Sequence, residues 1–106
     1  MQKKNNHRGN TTLIRLKYLE AILCTIEEIT GEHYRKIFGI GTAQQTRDFN
    51  EYRKKYQPGF QYDPVSGTNK VNFGERQWQE SWWENITPEE YIDAIHIVFT
   101  DSEYFN

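Results

Sequence analysis

Gly39 constrains the fold of this chain more than any other residue. It follows a short apolar run with helical spacing, Tyr34, Ile37 and Phe38, and precedes Ile40 and a second helical run. A glycine there supplies the positive φ that ends a helix at its C′ position. Thr30 caps a helix over Gly31 to Phe38, and Gly41 or Thr42 starts the next, which runs to about Tyr56. On that next helix Ala43, Thr46, Phe49, Tyr52 or Arg53, and Tyr56 share one face, with Gln44, Arg47, Glu51 and Lys55 on the other. Two helices joined by a short glycine-containing turn form a helix-turn-helix.

The segments on either side complete the reading. Apolar residues at helical spacing begin at Leu13 and continue through Ile14, Tyr18, Ala21, Ile22, Thr25, Ile26 and Ile29, and Leu16, Leu19 and Leu23 widen the stripe. Thr11 or Thr12 is placed to cap this first helix. Pro58-Gly59 stops the helix that ends near Tyr56. Phe60-Gln61-Tyr62 and Lys70-Val71-Asn72-Phe73 then alternate around the turn formers of residues 63–69, which predicts a β-hairpin. Thr87-Pro88-Glu89-Glu90 combines a Thr cap, Pro at N1 and Glu at N3, and predicts a helix over about residues 88–99.

A chain of 106 residues is about one domain. It is 36% hydrophobic and 15% aromatic, so Tyr, Phe and Trp must supply much of the core. No apolar run reaches the roughly 18 residues of a membrane span, and the first residues lack the apolar stretch of a signal peptide. The single cysteine, Cys24, falls in the helical stripe, where it reads as core. Together these features suit a cytoplasmic protein.

The net charge of −2 conceals two halves of opposite sign. Residues 1–70 carry 12 Lys/Arg against 7 acids, net +5, and residues 71–106 carry Arg76 alone against 8 acids, net −7. A basic half joined to an acidic one points to a polyanion-binding part attached to something else. The major groove of DNA admits one helix whose first turns meet base edges. In the third helix those positions are Thr42, Gln44, Gln45 and Arg47. Gln pairs bidentately with adenine and Arg with guanine, while a Thr methyl touches the thymine methyl. Phosphate contacts are expected from His33, Lys36, Thr46, Arg53, Lys54 and the hairpin's Asn69 and Lys70. Lys3, Lys4 and Arg8 form an arm for a neighbouring minor groove.

Catalytic readings find no constellation. His7, His33 and His96 are scattered, no Ser or Cys stands where a triad needs one, and one Cys gives no zinc spacing. The expectation is therefore no enzyme, no metal and no cofactor.

From Phe38 to Phe73 the pattern becomes specific. Phe38-Gly39-Ile40, then Thr46-Arg47-Asp48-Phe49-Asn50-Glu51-Tyr52, then Pro58-Gly59-Phe60-Gln61-Tyr62-Asp63 and Lys70-Val71 resembles the winged helix-turn-helix of WYL-domain transcriptional regulators, which often accompany bacterial phage-defence genes. The resemblance spans about residues 13–73. It implies that the Thr42–Arg47 turn reads bases and that Tyr62-Asp63 to Lys70 forms the wing. Gly41 stands where the family has a small hydroxyl cap, and the 33 residues after Phe73 are too few for a WYL domain, so no small-molecule ligand is implied.

The expected fold is mainly α (α+β), a winged helix-turn-helix with a short β-hairpin wing and a C-terminal helical extension. Residues 1–10 read as a flexible basic arm, 11–74 as the DNA-binding domain, and 75–106 as an acidic aromatic extension. The expected function is sequence-specific binding of double-stranded DNA by a bacterial or phage-encoded repressor. It would act as a homodimer on an inverted repeat, with half-sites about 34 Å apart. Trp78, Trp82, Trp83, Tyr91 and Ile95 are the expected dimer contact, since aromatic residues favour interface centres. The alternative is a small adaptor or inhibitor whose acidic C-terminal part docks on a protein, imitating DNA.

Overall fold

The helix that carries the Leu-rich stripe is the axis of the fold. In the computed structural model, which describes the backbone of residues 2–72 and 76–104 and the side chains of residues 11–72 and 76–99, it spans Gln2–Thr25 (α1). Every residue from 18 to 23 is buried, including Tyr18, Leu19 and Ala21 at 0% exposure. A helix buried all round must have neighbours on every side. The other elements are β1 (Glu28–Ile29), α2 (Gly31–Phe38), α3 (Thr42–Lys55), β2 (Phe60–Asp63), β3 (Thr68–Val71), a 3-10 turn over Glu80–Trp83 and α4 (Pro88–Tyr104), and α4, α3 and β1 pack most closely on α1. The fold is mainly helical with a small antiparallel sheet, hence α+β.

Three helix boundaries differ from the sequence reading, and the strands reach into the expected turn, to Asp63 and from Thr68. The first helix starts at Gln2, so Thr11 and Thr12 lie inside it and cap nothing. It stops at Thr25, leaving Ile26 62% exposed; Glu27 turns the chain with φ 78, and Ile29 is buried from a strand. α4 continues five residues beyond position 99, to Tyr104.

The local signals around the turn hold. Thr30 Oγ1 accepts the His33 N–H at 3.0 Å, and Gly39 takes φ 62, ψ 39, its N–H donating to the Arg35 carbonyl. Gly41 caps α3 with no side-chain bond, and Arg53, Lys54 and Lys55 complement the dipole at the helix's other end. The hairpin forms with Phe60 opposite Val71 and Asp63 opposite Thr68, and β1 adds on the outer edge of β3, Ile29 opposite Asn69. The sheet order is therefore β1-β3-β2. The hairpin turn is held by Asp63, whose carboxylate accepts the Val65 N–H at 3.0 Å and the Ser66 hydroxyl at 3.1 Å, and Gly67 takes φ 74.

Edge-on rings join the layers. Phe60 meets Phe49 at 5.2 Å, Phe49 meets Tyr34 at 5.0 Å, Tyr34 meets Phe38 at 5.2 Å, and Phe38 meets Phe99 of α4 at 5.0 Å. Such pairs add about 0.5–1.5 kcal/mol each beyond the area they bury. The tryptophans join the same core: Trp82 packs edge-on to Tyr56 at 4.9 Å, and Trp83 to Tyr91 at 5.8 Å. Thr87 and Glu90 exchange the two bonds of a capping box at the start of α4. Among the described residues, no helix is long and apolar enough to cross a membrane.

Candidate nucleic-acid interface

The inward face of α3 keeps Phe49, Tyr52 and Tyr56 of the expected stripe but takes Asp48 in place of Ala43 and Thr46. Asp48, Phe49 and Tyr52 are buried, whereas Ala43 and Thr46 are exposed. Asp48 turns inward because a guanidinium waits there. Its Oδ2 accepts Arg15 Nε at 2.5 Å and the Tyr34 hydroxyl at 2.8 Å; its Oδ1 accepts Arg15 Nη2 at 3.2 Å and Gln44 Nε2 at 2.8 Å. Burial works against the Arg15 charge, but the hydrogen bond and charge of Asp48 outweigh it and raise the guanidinium pKa. This fork bolts α3 to α1 and, through Tyr34, to α2.

With Asp48 inside, the outward stripe of α3 is Thr42, Ala43, Thr46, Arg47, Asn50 and Lys54, all exposed. Gln44 and Gln45 are half-buried and already bonded. Gln45 Oε1 accepts Arg35 Nη1 at 2.7 Å, tying α3 to α2, and Gln44 bridges Asp48 and Arg47. Of the four residues expected at base edges, Thr42 and Arg47 project outward, Arg47 with one N–H on Gln44, and the two glutamines are committed to partners within the chain.

The residues expected on phosphates divide likewise. Lys36, Thr46 and Lys54 are exposed. Arg53 lies over the Phe60 ring and donates to the Phe60 carbonyl at 2.5 Å and to Asn50 at 2.7 Å. Lys70 stands between Glu28 at 3.8 Å and Asp63 at 3.5 Å, and Asn69, 8% exposed, donates to the Ile29 carbonyl. Those three brace the sheet. The side chains of Lys3, Lys4 and Arg8 lie outside the described residues.

His33, itself exposed, belongs to a part-buried node between three helices. The Tyr18 hydroxyl is 2.8 Å from His33 Nε2 and 2.8 Å from His96 Nε2, so one phenol joins α1, α2 and α4. One hydroxyl donates once, so one imidazole accepts from Tyr18 and the other presents its N–H. Burial, and secondarily the charge of His96, lower the His33 pKa. A lowered imidazole pKa means that the unfolded chain takes the proton first, near 6.5, so stability falls as pH drops from there through the folded value. Tyr18→Phe leaves both ring nitrogens without this partner. It is expected to lower the unfolding free energy by about 1–3 kcal/mol in urea titrations, with little change in far-UV circular dichroism.

The residues expected at a dimer contact lie on the chain's own core. Ile95 is 6% exposed, Trp78, Trp82 and Tyr91 pack against the core cluster, and Tyr91 donates to the Ile14 carbonyl at 2.9 Å. Trp83 Nε1 donates to Glu20 Oε2 at 2.9 Å. Glu20 was invisible as a site in sequence, although its position as the only charge within Tyr18 to Leu23 is the signal that marks it. Cys24 is half-buried and its thiol is pushed up to about 12, first by burial and then by the charges of Glu20 and Glu89, which makes it unreactive. Among the described residues no three His, Cys, Asp or Glu side chains converge on one point. No family model matches the chain, and no curated protein matches it.

Proposed function

We propose that the chain is a sequence-specific double-stranded-DNA-binding regulator of the winged helix-turn-helix kind. In this reading α3 is the recognition helix, the β2–β3 hairpin is the wing, and a homodimer represses from an inverted repeat. The observation that carries the reading is the outward stripe of α3. Thr42, Thr46, Arg47, Asn50 and Lys54 form one polar, cationic face on a helix whose opposite face is anchored by a buried ion pair. A helix fixed from behind and polar in front is what base recognition in a major groove requires, since loose presentation loses discrimination. Lys54 at the end of that face and Lys36 on α2, both exposed, supply charge for phosphates. The third strand, β1, supports the hairpin and leaves Val65 at its tip 95% exposed, as a wing that enters a groove would need.

Salt dependence tests this. With Lys36, Lys54 and one cation of the N-terminal segment on phosphates in each protomer, a dimer makes about six contacts. Duplex affinity should then fall about a thousandfold between 50 and 200 mM salt, read by fluorescence anisotropy. Loss of less than about threefold over that range would remove phosphate binding from the account. Light scattering at micromolar concentration, returning twice the mass of one chain, checks the dimer.

A further inference from the structure

We propose that Gln44 does not read a base but holds Arg47 in the one orientation from which Arg47 reads a guanine; this rests on the DNA-binding reading above. The argument begins at Asp48. Its carboxylate is 1% exposed and is gripped from behind by Arg15 and Tyr34, so its position is fixed by α1 and α2 as well as by its own helix. An ionised carboxylate only accepts hydrogen bonds. Gln44, one turn earlier, must therefore turn its NH2 group inward, where Nε2 meets Asp48 Oδ1 at 2.8 Å. The amide has two ends, so its oxygen is forced outward. An outward oxygen suits a donor, and Arg47 Nη2 supplies one at 3.1 Å.

The relay Arg15–Asp48–Gln44–Arg47 thus converts a buried ion pair into the orientation of an exposed guanidinium. It also ties both ends of the Gln44 amide to partners within the chain, so turning that amide to pair bidentately with adenine would break both bonds. Arg47 keeps donors to spare, because a guanidinium has five N–H groups and the relay uses one. An arginine ordered before binding loses less side-chain freedom on contact, so the relay should sharpen discrimination at one base pair without adding a contact of its own.

The test uses the full chain and a randomised duplex pool selected on the wild-type protein. The selected duplex is then compared with copies in which each guanine in turn is 7-deazaguanine, which lacks the N7 acceptor. Arg47→Ala should weaken binding to the selected duplex about 10- to 100-fold and abolish sensitivity to one particular deazaguanine. Gln44→Met, which keeps the bulk and removes both amide ends, should lose several-fold and blunt sensitivity at that same guanine. The double variant should bind no worse than Arg47→Ala alone. In the free protein, 15N spectra should show restricted guanidinium rotation for Arg47 in the wild type and averaged signals in Gln44→Met. Additive losses, or a Gln44→Met effect confined to an adenine, would overturn the relay while leaving DNA reading intact. Averaged Arg47 signals in the wild type would overturn it without reference to DNA. A pool from which nothing is enriched removes the DNA reading itself, and the relay's purpose with it.

Discussion

Asp48→Ala is expected to lower the unfolding free energy by about 3–5 kcal/mol, because it leaves the Arg15 guanidinium buried without its counter-charge. The Arg15 side chain is 9% exposed and that of Asp48 is 2% exposed, so water replaces little of what is lost. Tyr34 and Gln44 also lose their acceptor. Against a typical stability of about 5–15 kcal/mol this is about a fifth or more of the total, and the urea midpoint should fall accordingly. Replacing both partners together, Arg15→Met with Asp48→Leu, should recover most of the loss, since apolar side chains of similar volume remove the uncompensated charge. A single Asp48→Ala loss below about 1 kcal/mol would mean that the pair does not anchor α3. The double variant separates two roles of the pair. It should fold nearly as stably as the wild type yet lack the acceptor that orients Gln44.

The features legible in sequence were those written within a few residues of one another. Thr30 and Gly39 bound α2, the turn at residues 63–67 closes the hairpin, and Thr87 with Glu90 opens α4. In each case the residues that make the bond lie within four positions. What escaped the reading depends on partners far along the chain. β1 is only two residues long, too short to show alternation, and exists because Lys70 and Asn69 stand opposite it some forty residues later. The usual place of a carboxylate is the surface; Asp48 and Glu20 are buried only because donors arrive from other elements. The candidate interface suffered from the same limit. Gln44 and Gln45 have the right chemistry for adenine, but Asp48 and Arg35, invisible as partners in a linear reading, take up their amides. The tryptophans were expected at a dimer contact because aromatic residues favour interface centres. Glu20 and Tyr56 give Trp83 and Trp82 partners inside the chain.

Glu20 carries the second large effect, and its sign with pH is distinctive. The carboxylate is fully buried and accepts three donors: the Tyr52 hydroxyl at 2.8 Å, the Gln79 N–H at 2.6 Å and the Trp83 indole N–H at 2.9 Å. It pins the segment that leads into α4 against the centre of α1. Glu20→Ala strands all three donors in the core, each costing about 1–3 kcal/mol when left unpaired, so a loss of at least about 3 kcal/mol is expected. Glu20→Gln keeps an acceptor for Trp83 and Gln79 and separates the charge from the shape. Burial raises the Glu20 pKa above 4.5, and the bonds from Trp83, Gln79 and Tyr52 offset it only in part. A raised carboxyl pKa means that the folded chain holds its proton longer than the unfolded one. This group's contribution is therefore most favourable in acid and declines as pH rises from about 4.5 through the folded value. His33 acts in the opposite sense, losing stability as pH falls from 6.5, so the wild-type curve alone mixes the two. The difference between Glu20→Gln and the wild type isolates the carboxyl. Unfolding free energies measured from pH 4 to 8 should show the variant gaining on the wild type with each step upward and levelling off once the folded Glu20 has ionised. A constant difference across that range would mean that Glu20 ionises in the core as readily as in water, and that its three donors alone compensate its burial.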